Sequence, residues 1–142
     1  MSSTKLSPNA LCPCGCGQKY KQCCRPFHKG KPPPTPEVLM RSRYTAYALN
    51  NVAYIINTTH PQSPLYQANT AKWAAELEQF CLSTRFERLD VQSTDADDDA
   101  VGWVTFTATL FQGTRDVSFT ERSLFHKHNR KWLYVSGDVD LC

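Results

Sequence analysis

A chain of 142 residues, 41% hydrophobic and 20% charged, is long enough for one ordinary domain and a small appendage. No apolar run approaches the ~18–20 residues that span a bilayer, and Met1–Leu11 lacks the hydrophobic stretch of a secretory leader, so membrane and exported classes are set aside and a reducing cytoplasm is expected. The net charge of +3 is uneven: through Lys31 there are six basic residues and no acid, while the remainder holds ten basic and thirteen acidic residues.

Met1–Ala10 reads as polar, frayed chain. Five of the seven cysteines then fall between Cys12 and Cys24, in Cys-Pro-Cys-Gly-Cys-Gly-Gln-Lys-Tyr-Lys-Gln-Cys-Cys. The simplest chemistry for such a knot is a metal ion held by Cys12, Cys14, Cys23 and Cys24. Four thiolates around Zn²⁺ close a tetrahedral site with Zn–S near ~2.3 Å and leave no position open for catalysis. Zinc is the expectation and iron the competitor, since a tetrahedral S₄ cage suits either. A disulfide framework fits poorly: the cysteine count is odd, no leader is visible, and a bridge between neighbours Cys23 and Cys24 would be strained. Pro13 fixes one backbone angle between the first ligands, and Gly15 and Gly17 relax the chain around them. His28 is a further donor, but four sulfurs suffice, so it is expected at the surface. The C-x-C and C-C spacings are tighter than those of common zinc fingers, and spacing alone is not decisive.

The stretch resembles the SEC-C motif, named from the C-terminus of the preprotein translocase ATPase SecA and written C-P-C-G-S-G-x-x-Y-x-x-C-[HC]. Every defined position matches except Cys16, where the family usually has Ser. The departure leaves Cys16 as a spare thiol, able to compete as a ligand or to oxidise.

A proline-rich linker follows over 29–36, separating a metal-binding segment at 1–28 from a larger domain at 37–142. Thr35-Pro36-Glu37 reads as a helix start, with Thr as cap, Pro in the first turn and an acid beside it. The helix runs to about Asn50, with Met40, Tyr44 and Tyr47 on one face flanked by Leu39 and Arg43. A second short helix spans Val52–His60, stopped by Pro61 and Pro64. Thr70–Leu82 is a third, with Trp73, Leu77, Phe80 and Cys81 as its apolar stripe and Cys81 as core filling. From Arg85 the pattern turns to β: Phe86–Ser93, Ala100–Gln112, Asp116–Lys127 and Lys131–Gly137, joined by hairpins at Gln112-Gly113-Thr114 and His128-Asn129-Arg130. Helices followed by consecutive strands imply an α+β fold, about three helices packed on a curved antiparallel sheet of about four strands. The acidic run Asp95–Asp99 fails as a calcium loop, lacking the required Gly and carrying Phe106 at the twelfth position, and reads as a solvated hairpin end.

The larger domain resembles the YchJ family of bacterial proteins, through Leu39-Met-Arg-Ser-Arg-Tyr44, His60-Pro61, Glu121-Arg-Ser123 with Phe125, and Trp132 with Tyr134 before Gly137. The resemblance implies a cone-shaped, nuclear-transport-factor-2-like domain after the SEC-C motif, and brings no assigned reaction with it. Such a fold often encloses a pocket between helices and sheet. Candidates to line it are Arg43, Tyr44, Tyr47, Tyr54, His60, Glu121, Trp132 and Tyr134. Phe119, Glu121, Ser123 and Phe125 share one face of their strand, and Glu121 among apolar neighbours is expected to pair with Arg41 or Arg43.

The resulting expectation is a non-enzymatic binding protein. Its metal-stapled basic knuckle docks on a protein partner, as the SEC-C resemblance to a motif that docks the export chaperone SecB implies. Its larger domain supplies a ligand pocket or homodimerisation. One alternative is a small enzyme with His60 or Glu121 as general base and no catalytic residue yet assigned. Another is RNA or ribosome binding through the basic segment, ranked lower for want of an aromatic basic sheet face.

Overall fold

The computed structural model describes residues 6–141; the reading of Met1–Ala10 as frayed falls in part on residues 1–5, outside the described residues. Four helices and five strands follow one another, α1 (Arg25–His28), α2 (Pro36–Ala48), α3 (Val52–Asn57), α4 (Thr70–Ser83), then β1 (Arg85–Asp98), β2 (Val101–Gln112), β3 (Arg115–Asp116), β4 (Phe119–His128) and β5 (Lys131–Leu141). The architecture is α+β with an open antiparallel sheet in the order β1-β2-β4-β5, the two-residue β3 pairing with β2. The helix beyond the expected three is α1, a single turn inside the cysteine segment. The extra strand arises because Asp116–Lys127 is not continuous. Ser118 leaves the ladder, its hydroxyl accepting from the Leu110 amide at 2.9 Å, and splits that stretch into β3 and β4.

The starts of α2, α3 and α4 are fixed by side-chain oxygens. Thr35 Oγ1 accepts from the Val38 amide at 3.2 Å, Asn51 Oδ1 from Tyr54 at 3.3 Å and Asn69 Oδ1 from Lys72 at 3.0 Å, each satisfying a donor that the first turn would leave unpaired. The second helix stops at Asn57, not His60. Thr58 Oγ1 donates back to the Tyr54 carbonyl and Thr59 Oγ1 to that of Ile55, each at 2.7 Å, and these bonds compete with helix continuation. The chain then bridges to the edge strand instead: Tyr134 N–H donates to Thr58 at 2.9 Å, and His60 N–H to Tyr134 at 2.8 Å.

Strand β1 runs through the acidic residues to Asp98, so the solvated end is only Asp99-Ala100, where Asp98 Oδ1 accepts from the Ala100 amide at 2.7 Å. Between β4 and β5 the turn uses Asn129 and Arg130 at φ 51° and 66°, the doubly left-handed geometry of a two-residue hairpin. Alternate residues of β2, from Gly102 to Leu110, face the interior. Val104, Phe106, Ala108 and Leu110 of that face form one buried cluster with Leu39, Met40 and Tyr44 of α2 and with Phe125, Trp132 and Tyr134. Cys12, Cys14 and Cys24 belong to that same cluster. Ala46, Ile55 and Cys81 make a second, smaller one under α3 and α4.

Candidate functional site

The backbone between Cys12 and Cys24 is folded by its own hydrogen bonds. Cys12 N–H donates to the Gln18 carbonyl at 2.9 Å and Gly15 N–H to that of Cys12 at 3.1 Å. Gly15 and Gly17 sit at φ 80° and 84°, a region side chains disfavour, so glycine lets the loop close this tightly. The chain then turns through one 3₁₀ turn, Tyr20–Gln22, into Cys23 and Cys24. As a result the sulfurs of Cys12, Cys14, Cys23 and Cys24 all lie within 4.8 Å of one another. A tetrahedral ion holding thiolates at ~2.3 Å demands sulfur–sulfur edges of about 3.8 Å. Cys14–Cys23 at 3.5 Å and Cys23–Cys24 at 3.9 Å bracket that value. The donor set therefore fits a metal ion.

Electrostatics gives the same result. Hydrogen bonds from Cys14 and Cys24 push the Cys12 thiol down, while the bond to Cys12 pushes Cys14 up to about 11 and drives Cys24 higher still; burial first of all raises Cys23. Four sulfurs this close cannot all ionise unaided, and a cation among them removes the conflict. Around them, Thr45 Oγ1 lies 3.6 Å from Cys12 Sγ, and Arg41 Nη1 donates to the Cys14 carbonyl at 2.9 Å while its Nε pairs with Glu37 at 3.0 Å. Cys16 stays exposed, its sulfur 3.0 Å from Cys23 Sγ and outside the set of four.

His28 is not a surface residue. Half-buried, it links the cysteine segment to α2: Tyr20 OH lies 2.8 Å from Nδ1, Nε2 is 2.8 Å from the Ser42 carbonyl, and the ring packs against Tyr54 at 4.6 Å with the planes tilted by 56°. Burial lowers its pKa, which favours the neutral ring. The spacing signal looked only for metal donors and so missed this structural use, along with Ser42 and Thr45 beneath the knuckle.

A second concave feature lies between α2, α4 and the sheet. It has a volume of about 310 Å³. Arg43, Tyr44, Tyr47, Glu121 and Tyr134 of the expected residues line it, as do Phe119, Ser123 and Phe125 on the predicted strand face. Tyr54, His60 and Trp132 are not among its lining residues. Tyr54 instead faces the knuckle, 2.7 Å from Ser42 Oγ, because α3 turns that side toward α2. His60, held by the bridge to Tyr134, lies at the end of the sheet with its ring 6.1 and 5.7 Å from those of His126 and His128. Trp132, paired with Lys127, is buried at the same β4–β5 hairpin end but on the other face of the sheet from His126 and His128, and borders a groove with Thr35 and Trp103.

The expected ion pair of Glu121 also needs correcting. Arg41 is committed to Glu37 and Cys14, and Arg43 Nη1 donates to the Ile55 carbonyl at 3.0 Å, Thr58 Oγ1 at 2.8 Å and Thr59 Oγ1 at 3.1 Å. Its guanidinium stacks 4.6 Å over the Tyr134 ring. Glu121 Oε2 accepts from the hydroxyls of Ser123 and, at 3.2 Å, Tyr134; no ion pair joins it to a base among the described residues. Burial and the neighbouring Glu121 charge raise the Tyr134 phenol. Gly137 makes this placement feasible, since a Cβ there would overlap the Glu121 carboxylate. The cross-strand role of Gly137 has no signature in a single sequence.

A closed four-cysteine knuckle ahead of helices laid on an antiparallel sheet defines a SEC-C motif joined to an NTF2-like domain. Residues 9–26 match the SEC-C motif, and residues 35–137 match the family described as the YchJ middle NTF2-like domain. The chain belongs to the YchJ family. The UPF0225 protein YchJ of Shigella dysenteriae is 38% identical over 129 residues, covering 89% of this chain and 82% of its own length. The UPF0225 protein SG1365 of Sodalis glossinidius is 40% identical over 130 residues, covering 89% and 81%. Among solved structures, a SEC-C motif containing protein from Rhodopseudomonas palustris is 32% identical with a TM-score of 0.76, covering 89% of this chain and 96% of that one.

Proposed function

We propose that this protein is a metal-stapled, non-enzymatic binding protein in which the knuckle holds one structural Zn²⁺ and docks on a macromolecular partner. The convergence of four sulfurs within 4.8 Å carries this reading, because a site with all four positions filled by protein leaves none for substrate. Iron is the alternative occupant of an S₄ cage, and elemental analysis separates the two. The reduced thiols this requires suit the cytoplasm. Among the described residues no helix is long and apolar enough to cross a membrane.

The partner-facing surface is the outer side of the knuckle. Lys19, Lys21, Lys29 and Lys31 are exposed there, and Leu11 is 70% exposed beside them. A bound Zn²⁺ with four thiolates carries −2, less than the local basic excess, so the surface stays positive and suits an acidic protein segment. RNA is the competing polyanion, and a steep loss of binding with salt would mark it. The larger domain supplies the ligand pocket, or a surface for pairing with a second copy.

The test is elemental analysis of protein isolated without added metal, together with partner capture by wild type and by Lys19→Glu, Lys21→Glu. One Zn per chain in both proteins, with capture lost only in the charge-reversed one, supports the reading. Absence of metal from freshly reduced protein, or capture indifferent to charge reversal, refutes it.

A further inference from the structure

The cavity between α2, α4 and the sheet is built mostly of aromatic and aliphatic side chains, yet it holds two opposite charges that do not meet. Arg43 is buried, and the three acceptors of its Nη1 are all neutral oxygens. Glu121 takes two hydroxyl donors on Oε2, and Oε1 carries no hydrogen bond among the described residues. No contact of 4.0 Å or less pairs the two charges, although the Tyr134 side chain touches both. Leu65, 57% exposed, also lines the space, so the cavity reaches the surface at that point.

A ligand head carrying net charge would meet one like and one opposite charge here and would lose its own hydration in an apolar surround. A neutral head that both donates and accepts meets Glu121 with its donor and Arg43 with its acceptor. The volume, about 310 Å³, has room for about ten water-sized groups, which limits the ligand to a small molecule. We propose that this cavity binds a small, mostly apolar molecule bearing one neutral donor–acceptor head, of which a primary amide is the type. This rests on reading the larger domain as a ligand-pocket domain, and it is independent of what the knuckle binds.

The probes are 3-phenylpropanamide, 3-phenylpropanoate and 3-phenylpropylamine, which share one apolar body and differ only in the head. Each is titrated into the full metal-loaded chain and followed by amide NMR shifts, with metal content measured on the same samples. The amide should bind about tenfold more tightly than either ion, with shifts centred on Tyr47, Glu121 and Tyr134. Glu121→Gln keeps the shape and removes the negative charge, so the carboxylate should overtake the amide. Gly137→Ala, whose methyl displaces the Glu121 carboxylate, should weaken the amide by about tenfold. An ion equal to or tighter than the amide in wild type, no saturable shifts with any probe, or an unchanged ranking in a folded Glu121→Gln variant overturns the proposal. If a variant does not fold, the wild-type ranking decides. Loss of metal without change in the titration would count against the zinc knuckle and leave the cavity assignment standing.

Discussion

His28 offers the sharpest test of how the knuckle is held, because its ring is the polar rivet between the cysteine segment and α2. His28→Ala removes two hydrogen bonds of 2.8 Å, to Tyr20 OH and to the Ser42 carbonyl. Each contributes about 1 kcal/mol net. The rings of Tyr54 at 4.6 Å and Tyr20 at 5.7 Å lose their partner, which adds about 1 kcal/mol. The expected destabilisation is therefore about 3 kcal/mol. For a chain of this size, about 3 °C of melting temperature corresponds to each kcal/mol, so the midpoint should fall by about 10 °C. The assay is a thermal melt of the metal-loaded protein, paired with the rate of metal loss to a chelator, which should rise because the segment opens more often. A fall below about 2 °C with unchanged metal loss would refute the reasoning.

His28→Gln tests the same residue through pH. Burial holds the folded-state pKa below the unfolded value, so the neutral ring favours folding above the unfolded pKa, and that contribution fades as pH falls toward the folded one. Wild type should lose stability as pH falls below the unfolded imidazole value of about 6.5, and the Gln variant should vary less over the same descent, with metal content checked at each pH. Cys24→Ser removes a fully buried sulfur shared by the metal cage and the main core cluster, so metal content should fall to near zero and the melting midpoint of the whole chain should drop with it. Phe125, 0% exposed and central to the cluster, should cost about 3–5 kcal/mol as Phe125→Ala, read from denaturant midpoints. Cys16→Ser should keep the metal, because its sulfur lies outside the set of four.

The α2 boundaries were legible because Thr35-Pro36 is a local capping signal and Met40, Tyr44 and Tyr47 repeat at helical spacing, so no distant partner was needed to place them. The meander was legible for a similar reason: alternation along β2 and a two-residue turn at Asn129-Arg130 are local facts. What the sequence hid were events requiring two distant segments. Thr58 and Thr59 end α3 early because their hydroxyls and the Tyr134 backbone compete for the chain, and Tyr134 is far along it. Glu121 was expected to find an arginine, since nothing in the spacing announces that Ser123, two residues on, and Tyr134 on the next strand supply neutral donors instead. Tyr54, His60 and Trp132 were assigned to the cavity on chemistry alone; the direction of α3 turns Tyr54 to the knuckle, the bridge to Tyr134 holds His60 at the end of the sheet, and Trp132 lines a different groove.

The early exit of α3 also settles the fate of one border of the sheet. An open sheet presents two rows of unspent peptide groups, and a stray strand can add to either. On β5 the segment Thr58–His60 already occupies part of the first half of that row through its contacts with Tyr134. The other border, β1, is guarded differently: three irregularities in its register, after Phe86, Val91 and Ala96, break the flat template, and Arg85, Glu87, Arg88 and Asp90 cover it with charge. Fourteen residues of outermost strand thus carry both charge and breaks in register, and a variant that removed those charges would be the one to watch for fibres.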